Sequence, residues 1–214
     1  MMRRCLVCLA AVLALPAPAR ADELAEALRM LQQRYESTHT LVAKFNQEVE
    51  SPTLAGKLTS SGTVSFEKPN RMRWDYAPPD RQTIISDGDT LWIYQPDEKQ
   101  VLKAPLREAF QATTPVSFLA GLGHVDRDFT PTLESSTGDR WVIRLAPRED
   151  RGVGTLVLVV RKKDATIEEA RITDPLGTTT RLALTDQQRN GPLGADLFRF
   201  TPPPGVDVVR PPAY

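Results

Sequence analysis

Two histidines, a scatter of aspartates and one glycine pair are the residues of this 214-residue chain whose types could do chemistry. His39 sits among Ser37, Thr38 and Thr40, and His124 follows Gly121 and Gly123. Neither has a metal-ligand spacing or a serine motif beside it, so both read as solvent-exposed loop histidines. A pair drawn from Asp75, Asp80, Asp87, Asp89 and Asp97 could hydrolyse a glycoside. All five, however, fall among turns, where aspartate is favoured for local hydrogen bonding. Gly152 and Gly154 precede a strand pattern and not a helix, which makes them a turn and not a phosphate loop. A secreted hydrolase is therefore the weaker class and a binding module the stronger. No metal and no cofactor is expected.

The elements that would position a binding site begin with an export signal. Arg3 and Arg4, the apolar run from Cys5 to Leu15 and the Ala19-Arg20-Ala21 cleavage pattern predict that residues 1–21 are a signal peptide. Residues 22–214 are then the single mature domain. Both cysteines, Cys5 and Cys8, leave with the signal, and Cys8 precedes most of the apolar run, so a lipid-anchoring cysteine is not expected. The 27 basic residues balance the 27 acidic ones, which removes the electrostatic argument for nucleic acid as a partner. Cleavage takes Arg3, Arg4 and Arg20 and no acid, leaving a slightly acidic soluble protein.

From Asp22 to Glu36, Leu24, Leu28, Leu31 and Tyr35 form one apolar stripe, predicting a helix capped by Asp22 that packs on a sheet. From Thr40 the period becomes two. Leu41, Ala43, Phe45, Gln47 and Val49 share a face, Val64 and Phe66 share a face of the next strand, and Gly62 marks a possible bulge. The aromatics concentrate in Glu67–Tyr94, which holds two of three Trp and two of four Tyr. There Met72, Trp74 and Tyr76 fall on one strand face and Trp92 and Tyr94 on another. After Pro105, helical spacing replaces alternation through Leu106–Leu122, and strands then resume to Thr185. Ala195–Phe198 reads as one helical turn. About ten to eleven antiparallel strands with helices at the start and middle predict a barrel or strongly curved sheet. Its apolar side chains either fill a solid core or line a container for an apolar ligand.

The order export signal, helix, Phe45-Asn46-Gln47, Lys68-Pro69-Asn70, Arg73-Trp74, Pro79, Ser86-Asp87-Gly88, Leu91-Trp92 and Tyr94 resembles the LolA family. So does the closing Phe198-Arg199-Phe200-Thr201-Pro202-Pro203-Pro204-Gly205-Val206. The resemblance covers the whole mature chain. It implies a mainly β fold with helices (α+β), a half-open antiparallel β-barrel of about 11 strands under a short helical lid. It implies a monomeric, non-enzymatic periplasmic chaperone for lipidated outer-membrane lipoproteins. Such a carrier receives them from the inner-membrane release complex LolCDE and delivers them to the outer-membrane receptor LolB. Carriage of another lipid, such as a glycolipid, is the alternative on the same fold. On this reading Phe45, Phe66, Met72, Trp74, Trp92, Leu106, Phe110, Phe118 and Leu119 are candidate cavity liners, and Leu106–Leu122 is the lid. Lys68 stands where several relatives carry an arginine that holds the lid closed, and it is the candidate latch despite lacking the planar fork.

Overall fold

Alternation of side chains along the strands builds one sheet whose two faces do different jobs. The structure is a computed structural model that describes residues 18–53, 56–109, 129–148 and 154–210. Helix α1 (Pro18–Glu36) is followed by β1 (Thr40–Glu50), β2 (Lys57–Glu67), β3 (Arg71–Tyr76), β4 (Thr83–Asp87), β5 (Thr90–Gln95) and β6 (Gln100–Pro105). A short helix α2 (Leu106–Ala109) follows, then β7 (Phe129–Thr137), β8 (Arg140–Pro147), β9 (Thr155–Arg161), β10 (Ile167–Thr173), β11 (Thr179–Arg189) and β12 (Asp207–Val209). The strands form a single twelve-stranded sheet in the order β12-β6-β5-β4-β3-β2-β1-β11-β10-β9-β8-β7. The two end strands are not paired with each other, so the sheet is open. All pairs are antiparallel except β12, which runs parallel to β6 with Val208 opposite Val101.

Period two places Ala43, Phe45, Val64, Phe66, Met72, Trp74, Leu91, Leu182 and Leu184 in one buried inner cluster with Leu106. The same face continues across Ala170, paired with Leu182 and Leu158, into a second cluster on β7–β10. Helix α1 covers that second half by inserting Ala27 and Leu31, with Leu24, Leu28 and Met30 at the margins. Helix α1 is described from Pro18, four residues before the expected start at Asp22. The described helix already includes the residues before Asp22, so Asp22 lies within it and does not cap it.

Gly62 is not a bulge. It is in register opposite Phe45 on β1 and Tyr76 on β3, and the only irregularity in β1 lies between Val42 and Lys44, facing β11. The missing side chain lets the rings of Phe45 and Tyr76 meet at 4.9 Å from strands two apart. A Cβ at Gly62 would lie 2.0 Å from the Asp75 carbonyl oxygen and 2.9 Å from Phe45 Cε1. Residues 195–198 form a turn and not the expected helical turn.

Because backbone must move to admit that Cβ, Gly62→Ala is expected to destabilise the fold by about 3 kcal/mol. Urea unfolding followed by circular dichroism measures it, and a change below about 0.5 kcal/mol would mean that the β1–β3 backbone yields easily.

Candidate functional site

On the inner face the aromatics pack edge to face. The Phe45 ring lies 4.9 Å from Trp74, and Phe66 lies 5.8 Å from Trp74 at 86°. Trp74 is fully buried and its Nε1 has no hydrogen-bond partner among the described residues. The Tyr76 hydroxyl donates to Gln47 at 3.1 Å, and burial pushes its pKa up to about 12. Phe45, Phe66, Met72, Trp74 and Leu106 thus come together, joined by the smaller Ala43, Leu91, Leu182 and Leu184, which are not among the residues expected from sequence to line a cavity. Phe110, Phe118 and Leu119 lie outside the described residues, as does the Leu106–Leu122 lid beyond α2.

Trp92 is not part of this face. Leu91 and Ile93 point inward, whereas Trp92 pairs with Ile85 and Lys103 on the outside and joins Ile85 and Val101 in a third cluster. The C-terminal chain covers that cluster: Phe200 lies 6.3 Å from Trp92 and 5.6 Å from Tyr94, and Val206 packs beside them. Phe198 is buried as well, with the Arg71 guanidinium 5.8 Å from its ring, and Arg73 donates to the Leu197 carbonyl at 3.3 Å. The closing Phe-x-Phe-x-Pro-Pro segment is an outer seal.

A pocket of about 110 Å³ opens where the C-terminal end of α1 meets the inner face. Its floor is Leu31, Leu41, Phe66, Ala165, Ile167 and Leu184, and its rim carries Arg34, Lys68, Arg71 and Arg189 with the single acid Glu67. Turn chemistry positions Lys68. Asn70 takes φ 59°, tolerated by asparagine, and buried Ser86 donates to the Asn70 carbonyl and accepts from Gly88 N–H, both at 3.1 Å. Asp87 accepts from the amides of Asp89 and Thr90, so Ser86-Asp87-Gly88 is a turn device.

The Lys68 ammonium donates to the Tyr35 carbonyl and stands 3.6 Å from the Tyr35 ring centroid. Its described partner is therefore the last turn of α1, where a cation also meets the negative end of the helix dipole. No contact between Lys68 and the expected lid falls within the described residues. Burial lowers the Lys68 pKa, opposed by Glu36, and burial raises that of Tyr35. Arg34 donates to Thr166 Oγ1 at 2.6 Å and lies 3.5 Å from Asp164. Hydrogen bonding from Arg161 holds the Asp164 carboxyl well below the usual range. The 37–40 joint is tied to the end of β11 by Asn190, which accepts from His39 N–H and donates to the Ser37 carbonyl, each at 2.8 Å. His39 is exposed there, and His124 lies outside the described residues. Among the described residues no group of three or more His, Cys, Asp or Glu could hold a metal ion.

The other end of α1 is fixed by Glu23. Its Oε1 accepts from Ser136 Oγ and, at 3.0 Å each, from Trp141 Nε1 and Lys162 Nζ. Hydrogen bonds from Ser136, Lys162 and Trp141, in that order, lower its pKa from 4.5 to about 2.

The family model described as outer membrane lipoprotein carrier protein LolA matches residues 36–201. The outer-membrane lipoprotein carrier protein of Methylibium petroleiphilum is 36% identical over 209 residues, covering 97% of this chain and 99% of the relative. That of Leptothrix cholodnii is 37% identical over 169 residues, 78% of each chain. An uncharacterized conserved protein from Thermus thermophilus superposes with a TM-score of 0.56 at 15% identity, over 88% of this chain and 99% of that one. At that identity the likeness shows the fold alone.

Lys68→Met keeps the aliphatic stem but removes the donor to Tyr35. It is expected to cost about 1 kcal/mol, lower Tm by about 3 °C and speed amide exchange in residues 35–39. Unchanged exchange there would remove Lys68 as an anchor of α1. Glu23 titrates lower in the folded than in the unfolded state, so its contribution is complete above its unfolded value of 4.5 and is lost as pH falls toward 2. Urea midpoints measured from pH 5 to pH 2 are expected to fall more steeply for the parent than for Glu23→Gln, and equal slopes would contradict the assignment.

Proposed function

Because this chain belongs to the LolA family of outer-membrane lipoprotein carrier proteins, we propose that it binds the acyl chains of outer-membrane lipoproteins and carries them across the periplasm. The observation that supports this most directly is the inner face of β1–β6. It is a continuous apolar surface with no catalytic constellation beside it among the described residues, on the half of the sheet that α1 leaves to other elements. Phe45, Phe66, Met72, Trp74 and Leu106 are the proposed liners, with Phe110, Phe118 and Leu119 as further candidates outside the described residues. Trp92 is withdrawn from that set because it packs under Phe200.

The mature carrier is residues 22–214, freed of its signal peptide at Ala21, and it works as a monomer. Lipoprotein comes from the LolCDE release complex and goes to LolB, and the carrier itself makes and breaks no bond. Each methylene taken from water contributes about 0.8 kcal/mol, so a sixteen-carbon chain contributes about 12 kcal/mol. Left in water, such a chain would drive aggregation or reinsertion into the inner membrane. The thioether of Met72 suits a wall that must accept chains of varied shape.

Purified mature protein incubated with spheroplasts is expected to bring outer-membrane lipoproteins into the supernatant in a one-to-one complex, and no release would overturn the carrier reading. Phe66→Glu, which places a charge on the inner face, is expected to lower release at least tenfold. Trp92→Phe on the outer face is expected to leave it within about twofold. The reverse order would put the acyl chains on the outer face.

A further inference from the structure

The pocket at the end of α1 borders the face that the carrier function uses and shares Leu41, Phe66 and Leu184 with it, but its rim is cationic. Of the four cations that line it, Arg34 is matched, 3.5 Å from Asp164, and Arg71 turns its guanidinium away, 3.3 Å from Glu67 and over the Phe198 ring on the outer side. The other two have no carboxylate within ion-pair reach among the described residues. Lys68 spends its ammonium on the Tyr35 carbonyl, with exposed Glu36 acting on it from farther away. Arg189 makes one long hydrogen bond, 3.4 Å, to Thr38 Oγ1. His39, on the same rim, is exposed and can add a further donor but no negative charge.

Like charges crowd here. The Arg34 cation is disfavoured first by burial and next by the positive charge of Arg189, with Asp164 acting against both. An anion at the mouth would relieve the Arg34–Arg189 repulsion and give Lys68 and Arg189 a charged acceptor, while a hydrocarbon tail would reach the floor. At about 110 Å³ the pocket is small beside the several hundred Å³ of a drug-sized site, so it suits one chain and not several.

We propose that this pocket binds a single-chain amphiphile with an anionic head group, its tail on Leu31, Leu41, Ile167 and Leu184 and its head between Lys68 and Arg189. A chain joined to protein through ester or amide bonds carries no such charge, so this ligand is distinct from the lipoprotein acyl chains and its binding does not rest on the carrier reading. The two sources of this chemistry are a fatty-acid carboxylate and the phosphodiester of a lysophospholipid.

The test uses the full mature protein and the fluorescent fatty acid cis-parinaric acid, with its methyl ester as the uncharged control. The acid is expected to bind at least tenfold more tightly than the ester, with an affinity that falls as salt is raised. Arg189→Glu, an exposed change with little risk to folding, is expected to weaken the acid at least tenfold and leave the ester unchanged. Ile167→Trp, which fills the floor, is expected to weaken both. Displacement by oleate or by oleoyl-lysophosphatidylglycerol says which head group is preferred, and either supports an anionic-head site. Equal binding of acid and ester, or equal loss of both in Arg189→Glu, would overturn it. So would no binding of the acid by a protein that still releases lipoprotein from spheroplasts, and that result would leave the carrier function standing.

Discussion

The part of α1 that stays in the proposed mature chain, Asp22–Glu36, rises about 22 Å, whereas twelve strands set about 4.8 Å apart extend about 53 Å along the sheet. One helix of this length cannot roof the inner face, and most of what is particular to the molecule follows from that mismatch. Helix α1 is committed to β7–β10, where Ala27 and Leu31 meet Trp141, Ile143, Leu158 and Val160. The β1–β6 half buries Phe45, Val64, Met72 and Trp74 in a separate cluster with Leu91, Leu106, Leu182 and Leu184, to which no long described helix contributes. Apolar surface of that extent is strongly favoured to find a cover, and a lipid can supply it as well as protein can.

The outer face is handled differently. At β4–β6 it too is apolar, but the chain's own C-terminal segment lies over it, through Phe198, Phe200 and Val206 and then the parallel β12. Parallel pairing follows from the route: the chain leaves β11 in the middle of the strand order, crosses the outer face and arrives beside β6 in the same direction. That part of the outer face is thereby covered by the chain itself. This division also places Arg71 and Arg73 on the outer side, where one stacks on Phe198 and the other meets the Leu197 carbonyl.

That division marks how far the sequence could be read. Helix α1, the strands from β1 to β11 and the facing of Met72 and Trp74 were legible because polar residues alternate with them and reveal the parity. Leu91-Trp92-Ile93-Tyr94 is apolar at every position, so alternation carries no parity there, and Trp92 was placed inside when it belongs outside. Gly62 looked like an irregularity because glycine in a strand signals either a bulge or a close approach, and only the register opposite Phe45 and Tyr76 separates them. Strand β12 is three residues after a proline-rich run, too short to show a period. The partner of Lys68 was hidden for another reason: a cation's acceptor is set by tertiary approach, here of a helix end 33 residues earlier.

The anchors of α1 are then of a kind that suits reversible work. Its apolar stripe supplies the burial that holds it on the sheet, while its two ends are fixed by polar contacts, Glu23 with Ser136, Trp141 and Lys162 at one, and Lys68 to the Tyr35 carbonyl and Arg34 to Thr166 at the other. Contacts of this sort contribute about 1 kcal/mol each, the gain from one or two buried methylenes. Loosening the Lys68 end therefore costs little beside what an entering chain gains, and it widens the junction between α1 and the inner face. The buried core of α1 against β7–β10 resists the same disturbance, because exposing Leu31 and its neighbours would cost several times more. Motion is thus cheapest at the end of the helix that borders the β1–β6 half of the sheet.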